Sequence, residues 1–255
     1  MRFDVITLFP ELFAPFLTSG VTRRAYASRL VDVRLWNLRD HAEGNYRRVD
    51  DRPFGGGPGM VMMAEPLERC LAAIRAERGE LPGTAAPLVM FSPIGRRIDH
   101  AQVVGWAGGT GAILLCGRYE GVDQRFIDAH VDVQLSLGDF VLSGGEIPAM
   151  ALLDAVARLQ PGVLNDEGSH QADSFNAALD GLLDCPHYTR PEEWKGQAVP
   201  APLLTGHHAQ IERWRRDQRL LVTARHRPDL IDAARLSGCL DRADEAVLAK
   251  SPGLL

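Results

Sequence analysis

Val131–Met150, with the sequence VDVQLSLGDFVLSGGEIPAM, joins three local patterns in one short stretch. Val131–Leu135 alternates apolar and polar residues and predicts a strand end. Gly138–Gly145 predicts a loop, and Pro148 predicts the first turn of a helix, where a missing N–H group is tolerated. The glycines leave backbone amides open, and Phe140 begins an apolar run that is unusual in a solvated turn. These features predict a pocket for a flat, partly apolar ligand, although an ordinary strand–loop–helix connection explains this segment alone equally well.

Two more apolar strands end in polar loops that carry glycine. Leu88–Phe91 leads into SPIGRR at Ser92–Arg97, and Ala112–Cys116 leads into GRYEGVD at Gly117–Asp123. Strands that alternate with helices predict a parallel α/β sheet with both faces covered. Ligands bind beyond the carboxyl ends of the strands in such sheets. The three loops together therefore predict one composite site.

The rest of the first half alternates strands and helices around a glycine-rich loop. Asp50–Met63 contains GGGPG, which fits neither helix nor regular strand. Either this loop is simply flexible, or it lets another backbone or a ligand come close. The predicted strands are Phe3–Leu8 and Val31–Leu38, and the predicted helices are Glu11–Leu17, Gly20–Arg29, Glu65–Arg78, Ile98–Trp106, Asp123–Ala129 and Ile147–Leu159.

The second half of the chain changes character after the helix that follows the key stretch. Asn165–Asp180 is polar and aperiodic, which is typical of a linker. His207–Pro228 predicts a helix crowded with arginines, among them Arg213, Arg215 and Arg216. Such a face is either solvated or holds phosphates. We therefore predict an α/β domain at residues 1–164, a linker at 165–190 and a helical domain at 191–255.

Composition limits the class of protein. The chain has 255 residues, 45% hydrophobic and 24% charged, with a formal net charge of −5. Overall charge thus gives no indication of a nucleic-acid binder, and only a local basic face could serve one. The four cysteines form no C-x-x-C pair, and we expect reduced thiols in a cytoplasmic protein. We identify no signal peptide and no apolar run of membrane-spanning length.

Several common catalytic signatures are missing from the sequence. It contains no phosphate-loop Gly-Lys-Ser/Thr, no Rossmann G-x-G-x-x-G after a strand, no H-E-x-x-H and no G-x-S-x-G. Nucleotide hydrolases, dinucleotide-dependent dehydrogenases, zinc proteases and serine hydrolases are therefore disfavoured.

Taken together, the loops resemble those of the bacterial tRNA (guanine-N1)-methyltransferase family, TrmD. The resemblance covers nearly the whole chain, with long motifs in the expected order. They are DDRPFGGGPGMVM (Asp50–Met62), FSPIGR (Phe91–Arg96), CGRYEGVD (Cys116–Asp123), LGDFVLSGGEIPA (Leu137–Ala149), ADSF (Ala172–Phe175), GLLDCPHYTRP (Gly181–Pro191) and GHHAQIERWR (Gly206–Arg215).

This resemblance implies a fold and an activity. The fold would be of the SPOUT class, an α/β parallel sheet with a deep C-terminal trefoil knot, followed by a small all-α domain. No sequence periodicity would indicate a knot, and knots are rare. The enzyme would be a homodimer with active sites at the subunit interface. It would transfer a methyl group from S-adenosylmethionine to N1 of the guanine 3′-adjacent to the anticodon of tRNA.

The resemblance also implies roles for individual residues. The methyl donor would contact Gly117, Leu137, Gly138, Asp139, Phe140, Val141 and Leu142, with Ser92, Pro93, Tyr119, Ser143, Gly144, Gly145 and Pro148 as neighbours. Asp173 would be the base that removes the N1 proton, and Arg158 would lie on the O6 side of guanine. Asp184, Arg213, Arg215 and Arg216 would position tRNA. A magnesium requirement is implied as well, with Glu120 as the candidate ligand.

The chemistry of the reaction supports an acid–base pair of this kind. Guanine N1 carries a proton at neutral pH, and a free aspartate with a pKa of about 4 is a weak base for it. A positive charge at O6 would acidify N1, so we expect Asp173 and Arg158 to act as a unit. From the residues alone, the favoured interpretation of Asp173 is a helix N-cap or turn residue, with Ser174 as the rival cap.

Two features depart from the family pattern. The segment FNAALDGLLD after Asp173 contains an apparent short insertion, which affects the local geometry of that aspartate. Phe54 and Phe140 stand where tyrosine is expected, so ring packing is retained but a phenolic hydrogen bond is lost. Two alternative functions stay open: a non-catalytic RNA-binding or assembly factor, and a SPOUT enzyme that acts on another RNA.

Overall fold

The computed structural model describes residues 1–79, 85–165 and 170–250. The chain forms two compact units, Met1–Leu164 and Asn165–Leu255, called here the first and second units. Within the described residues, no helix is both long and apolar enough to cross a membrane.

The first unit alternates strands and helices. Its strands are β1 (Arg2–Thr7), β2 (Asp32–Asn37), β3 (Asp50–Asp51), β4 (Val61–Met62), β5 (Leu88–Arg97), β6 (Gly111–Leu115) and β7 (Val133–Ser136). Its helices are α1 (Phe13–Thr18), α2 (Arg23–Ala27), α3 (Ala64–Arg78), α4 (His100–Ala107), α5 (Gln124–His130) and α6 (Glu146–Arg158).

Five of these strands form one parallel sheet in the order β2-β1-β6-β5-β7. The prediction of a parallel α/β sheet is therefore confirmed. The strands β6, β5 and β7 precede the three loops of the predicted composite site, and they are neighbours in this sheet. Since they run in the same direction, their carboxyl ends meet at one edge.

Side chains alternate along the strands and build a core on each face of the sheet. Phe3 and Val5 of β1 pack with α1, α2, α4 and α6, whereas Ile6 packs with α3 and α5. Leu114 and Ile113 of β6 divide between the two faces in the same way. Each of these side chains is fully buried, and burial of one contributes about 1.5–3 kcal/mol before entropy is counted.

Strand β5 is longer than the sequence predicted. The expected strand ended at Phe91, but β-structure continues to Arg97, with a break in register because Phe91 and Arg96 both lie opposite Leu135 of β7. Ser92–Gly95 therefore bulges out of the ladder at the sheet edge. Gly95 approaches β7 so closely that an added Cβ would lie 2.5 Å from the backbone nitrogen of Leu135.

The N-terminal helices are shorter than predicted. Glu11–Leu17 was expected to form one helix, but a 3₁₀ turn at Pro10–Leu12 precedes α1. Pro15 gives the reason, because it has no N–H group to donate to the carbonyl oxygen of Glu11 in a continuous helix. The next predicted helix, Gly20–Arg29, is reduced to the short α2.

The second unit is a small helical assembly with one hairpin. Its elements are β8 (Glu193–Trp194), β9 (Gln197–Ala198), α7 (His208–His226), α8 (Pro228–Leu236) and α9 (Arg242–Ala249). Its core joins Leu220 of α7 to Ile231 of α8 and Leu248 of α9. The prediction of an all-α region is wrong in one respect, since β8 and β9 pair antiparallel.

The segment predicted as a linker packs within the second unit over its described part. Leu182 is fully buried in the same core as Leu220, and the backbone N–H of Leu183 donates to Oγ1 of Thr223 at 3.0 Å. A 3₁₀ turn at Ala177–Leu179 also forms in it. The predicted linker residues 166–169 lie outside the described part of the chain.

Candidate active site

A cleft of about 370 Å³ opens at the carboxyl ends of β5, β6 and β7. The bulge of β5, the Gly117–Val122 loop after β6 and the Leu137–Gly145 loop after β7 line it. Every residue predicted to contact or neighbour the methyl donor lies on its wall except Asp139. The predicted meeting of three loops at one sheet edge is confirmed.

Asp139 is placed differently from its neighbours. Its side chain is 85% exposed and lies 3.8 Å from a guanidinium nitrogen of Arg97, outside the cleft wall. The chain turns tightly at Asp139, where the Phe140 N–H donates to the Gly138 carbonyl oxygen at 3.0 Å, so adjacent side chains need not face the same ligand. A direct contact of the Asp139 side chain with a ligand in the cleft is not supported by this geometry.

Two glycines allow the loop after β7 to close against its neighbours. A Cβ added at Gly145 would lie 2.7 Å from Cα of Cys116, a backbone atom that cannot turn aside. A Cβ at Gly144 would lie 2.2 Å from Nε of Arg118 and 2.6 Å from Oε2 of Glu146. The N–H group of Gly145 donates to the carbonyl oxygen of Gly117 at 3.0 Å, which joins two of the three loops.

A buried charge pair lies behind this loop, and the sequence did not reveal it. Glu146, at the start of α6, is 1% exposed, and its Oε2 lies 2.9 Å from Nε of Arg118. Its other oxygen, Oε1, accepts a hydrogen bond from Oγ1 of Thr7 at 2.9 Å. Arg118 also donates to the carbonyl oxygen of Ser143 at 3.2 Å and covers the ring of Phe9 at 4.5 Å.

Burial also determines the state of the cysteine at the end of β6. Complete burial, with a smaller contribution from the Glu146 carboxylate, raises the pKa of the Cys116 thiol well above its ordinary value. Since the thiolate is the nucleophilic form, Cys116 is a packing residue rather than a reactive one.

The glycine-rich loop between β3 and β4 touches the loop after β6. The N–H of Glu120 donates to the carbonyl oxygen of Met60 at 3.0 Å, and a Cβ at Gly59 would lie 2.3 Å from Oε1 of Glu120. Tyr119, which has a φ of +61°, faces Asp50. Burial, and after it a hydrogen bond to Asp50, raise the pKa of Tyr119. Of the two interpretations of this loop, close approach of another segment fits these contacts.

The described residues offer no preformed metal site. Groups of three or more histidine, cysteine or acidic side chains that could hold an ion are absent from the described part of the chain. Glu120 lines the cleft as a single carboxylate. A single carboxylate is compatible with a Mg²⁺ ion that keeps most of its waters, but nothing else in the described residues supports the magnesium expectation.

The two residues implied in proton transfer belong to different units. Arg158 is the last residue of α6 in the first unit and is half-buried. Asp173 is half-buried in a turn of the second unit. Of the two alternatives for Asp173, the turn residue fits, since its carbonyl oxygen accepts from the Asn176 N–H at 3.3 Å. The helix cap, at Asp173 or Ser174, is wrong, because Asn176 caps the following turn through its side chain. The Ser174 hydroxyl instead accepts a hydrogen bond from the N–H of Asp184 at 2.9 Å.

The arginines implied in tRNA binding fall into two groups on α7. Arg213 and Arg216 both pair with Asp244, which is 2% exposed, and Arg216 also pairs with Asp180 at 2.7 Å. Arg215 is 46% exposed and pairs only at the surface, with Glu212. The first two therefore join α7 to other parts of the second unit, while Arg215 faces solvent.

Asp184 is also held in place within the second unit. Burial raises its pKa, but hydrogen bonds from the Cys185 N–H, His187 and Arg219 outweigh burial, and the pKa lies below its ordinary value. Asp184 is therefore an ionised residue that organises the segment before Pro186. Its part in positioning tRNA stays a prediction.

Comparison with known proteins places the chain among methyltransferases. A sequence model described as tRNA (Guanine-1)-methyltransferase TrmD matches residues 1–233. A relative named tRNA (guanine-N(1)-)-methyltransferase from Paracidovorax citrulli is 86% identical over 255 residues and covers 100% of both chains. A Polaromonas relative of the same name is 72% identical, covering 98% of this chain and 96% of its own. One from Bordetella pertussis is 59% identical, covering 99% and 98%.

Full-length similarity of this degree leaves no ambiguity about relationship. The matched segment includes every loop of the cleft described above. The chain belongs to the tRNA (guanine-N1)-methyltransferase family, TrmD.

Proposed function

We propose that this protein transfers a methyl group from S-adenosylmethionine to N1 of the guanine 3′-adjacent to the anticodon of tRNA. Membership of the TrmD family supports the reaction and the substrate class. The observation that carries the proposal furthest is the cleft at the carboxyl ends of β5, β6 and β7, which has the size and lining that a bent adenosine derivative needs.

The residues present fit such a methyl donor. Gly117, Gly138, Gly144 and Gly145 bring backbone atoms to the cleft wall without side chains in the way. Phe140, Val141 and Leu142 supply apolar surface for an adenine ring. When bound, the sulfonium cofactor supplies an activated methyl carbon, so the protein needs no covalent intermediate.

The protein must therefore hold the reactants in line and manage one proton. In the proposed mechanism, the Asp173 carboxylate accepts the N1 proton of guanine while the N1 lone pair attacks the methyl carbon. The cofactor, held by the three loops of the cleft, would supply this carbon and would be released as a neutral thioether, so the step balances. Arg158 stabilises the negative charge that develops towards O6, which makes the N1 proton easier to remove.

We further propose that the active enzyme is a SPOUT-class homodimer with a trefoil knot around the methyl donor, and that each site is completed by Asp173 of the second copy. Exposed apolar side chains at the cleft support a covering partner, since Ile94, Phe140 and Val141 are 82%, 56% and 84% exposed. Exposed apolar side chains grouped in this way mark an interaction site, and a covering subunit would remove from water the part that the ligand leaves exposed.

The Asp173→Ala substitution tests the proposed base. We expect it to retain binding of S-adenosylmethionine, measured by calorimetry, while methyl transfer to a tRNA transcript falls by about 100-fold or more, because general-base catalysis is lost. Asp180→Ala is a matched control, an aspartate of the same segment that pairs with Arg216. Near-normal turnover of the Asp173→Ala protein would refute the assignment.

Coexpression of two differently tagged variants tests whether the site is shared between subunits. In a mixed dimer of Asp173→Ala and Gly145→Ala chains, one site would combine an intact cleft with an intact Asp173. Random pairing would then restore about a quarter of wild-type activity, although each parent dimer is inactive. Absence of any recovery in purified mixed dimers would place both residues in the same subunit's site.

The alternative functions predict different results. A non-catalytic RNA-binding factor would show no calorimetric signal with S-adenosylmethionine. An enzyme for another RNA would bind the cofactor but would not distinguish tRNA transcripts with and without guanine after the anticodon. Identification of the methylated nucleoside as 1-methylguanosine would support the proposed reaction over both.

A further inference from the structure

Stability alone does not explain the buried pair of Glu146 and Arg118. Arg118 is 18% exposed along its side chain, and the carboxylate is almost completely covered. Burying such a pair usually brings little net stability, since the loss of hydration offsets the attraction. A contribution to the geometry of the adjoining cleft would explain its place in the fold.

The contacts of Arg118 point towards the cleft wall. One end of the guanidinium reaches Glu146, and Nη1 donates to both the carbonyl oxygen and the hydroxyl of Ser143, at 3.2 and 3.4 Å. The missing Cβ of Gly144 lets Nε of Arg118 pass directly over that residue's backbone. Ser143 and Gly144 both line the cleft.

The carboxylate is itself anchored to the sheet. Thr7 is the last residue of β1, is 1% exposed, and donates its hydroxyl hydrogen to Glu146. A continuous series of contacts therefore connects the end of β1 through Glu146 and Arg118 to Ser143. Each step in this chain is a contact of 2.9 to 3.2 Å.

We propose that Glu146, anchored by Thr7, is a positioning residue for the methyl-donor site: it fixes Arg118 so that the Ser143–Gly145 backbone is held in its ligand-ready conformation. The inference rests on the proposed function for the identity of the ligand. Glu146 does not itself line the cleft and acts through Arg118, which does.

Glu146→Gln is the first variant, because it keeps the size of the side chain and the Thr7 contact but removes the charge that faces Arg118. We expect the Kd for S-adenosylmethionine to rise about tenfold or more, since a small misplacement of a binding loop is costly. The KM for the cofactor should rise in parallel, while kcat at saturating cofactor changes little. Thr7→Val should shift both constants in the same direction by a smaller factor.

Asp4→Asn is the matched control. Asp4, on β1, is the other buried carboxylate among the described residues of the first unit, is paired with Arg2 and Arg78, and lies away from the cleft lining. We expect it to lower the melting temperature at least as much as Glu146→Gln does, without changing the Kd for the cofactor. The difference between the two variants separates positioning from general stability.

Hydrogen exchange without any ligand gives a second, independent readout. The amide of Gly145 is bonded to the Gly117 carbonyl oxygen, and its exchange should speed up in Glu146→Gln and in Thr7→Val but not in Asp4→Asn. If wild-type protein bound no S-adenosylmethionine, the proposed function would fail, yet faster exchange at Gly145 would still support the positioning role. Unchanged exchange and unchanged cofactor affinity in both Glu146→Gln and Thr7→Val would overturn the inference.

Discussion

Near the amino-terminal end of β1, Asp4 is fully buried and receives hydrogen bonds from Arg2, Arg78 and Trp36. Beyond the carboxyl end of the same strand, Glu146 is almost as deeply buried, and its carboxylate pairs with Thr7 and Arg118 among the described residues. The Asp4 cluster is closed towards the cleft, because its members bind one another, the backbone of β1 and the surface residue Glu77. The Glu146 cluster opens through Arg118 onto the loop that lines the cleft.

The difference distinguishes a buried carboxylate that only stabilises the fold, Asp4, from one that also positions the cleft loop, Glu146. Asp4 lies on β1 and Glu146 begins α6, and only Glu146 is connected through Arg118 to backbone that a ligand would contact. The glycines follow the same division, since Gly111 packs against the backbone of Arg2 at the closed end and Gly145 packs against that of Cys116 at the open end. We therefore expect substitutions at the Glu146 end to change cofactor binding, and substitutions at either end to change stability.

The largest effect is expected from Gly145→Ala. The new Cβ would meet Cα of Cys116 at 2.7 Å and the nitrogen of Gly117 at 3.1 Å, so the loop must move away from β6. We expect cofactor binding to weaken by about 100-fold or more in calorimetry, because a displaced backbone can no longer form its hydrogen bonds with the ligand.

Gly162→Ala provides the control for losing a glycine. Gly162 has a φ of +75° and no atom within 4 Å of the added Cβ, so its substitution strains the backbone by about 1 kcal/mol without altering the cleft. Equal losses of cofactor affinity in the two variants would remove the distinction between the open end and the rest of the unit.

Effects of intermediate size are expected for the arginines of α7, which differ in whether they pair with a buried carboxylate or face solvent. Arg216→Ala breaks a closed cluster and leaves Asp244 buried with fewer partners, so we expect a loss of about 3 kcal/mol in the unfolding free energy. Arg215→Ala should change stability by no more than about 0.5 kcal/mol, yet weaken tRNA binding and lower the salt dependence by about one phosphate contact. Denaturant titrations and binding at several salt concentrations measure these quantities.

The reverse pattern would show that Arg216, despite its partners, is the residue that holds phosphate. The sequence placed Arg213, Arg215 and Arg216 together as one basic face. It could not separate them, because the partners Asp180 and Asp244 come from segments far away along the chain.

The smallest effect concerns pH. Burial raises the pKa of Asp244, but hydrogen bonds from Arg216, the Asp241 N–H and Arg213 outweigh it and leave the pKa below its ordinary value. A lowered pKa means that ionised Asp244 stabilises the folded state above the unfolded pKa of about 3.9, and that this contribution is lost as the pH falls through the folded value. Acid unfolding of the wild type should therefore include a contribution below about pH 4.

Asp244→Asn should be less stable at neutral pH and should show a shallower loss of stability on acidification, measured by thermal unfolding across this range. The exposed Asp232→Asn substitution is the control for losing one negative charge. An acid profile of Asp244→Asn parallel to that of the wild type would contradict the role assigned to this carboxylate.

Local pattern was enough to predict the strands and the loops of the cleft. The alternation in Val131–Leu135 and the apolar runs before Ser92 and Gly117 indicate strands directly, and their parallel order brings the loops to one edge. The continuation of β5 to Arg97 was missed because Pro93 and Gly95 interrupt any strand pattern.

Pairs of distant residues explain most of what the sequence left hidden. Thr7 and Glu146 are 139 positions apart, and nothing local indicates that they meet. Glu146 stands just before the predicted helix Ile147–Leu159, and an acidic residue between two glycines and an apolar helix was a usable signal. The roles of Asp173 and Arg158, the knot and the dimer came from the family resemblance and stay predictions.

The most direct test of the central claim is a crystal structure of the protein soaked with S-adenosylmethionine. Our account predicts electron density for the bent cofactor between the loops that carry Gly117, Gly138 and Gly145, with the methyl group facing the cleft opening. Clear density for the cofactor elsewhere, with this cleft empty, would contradict it.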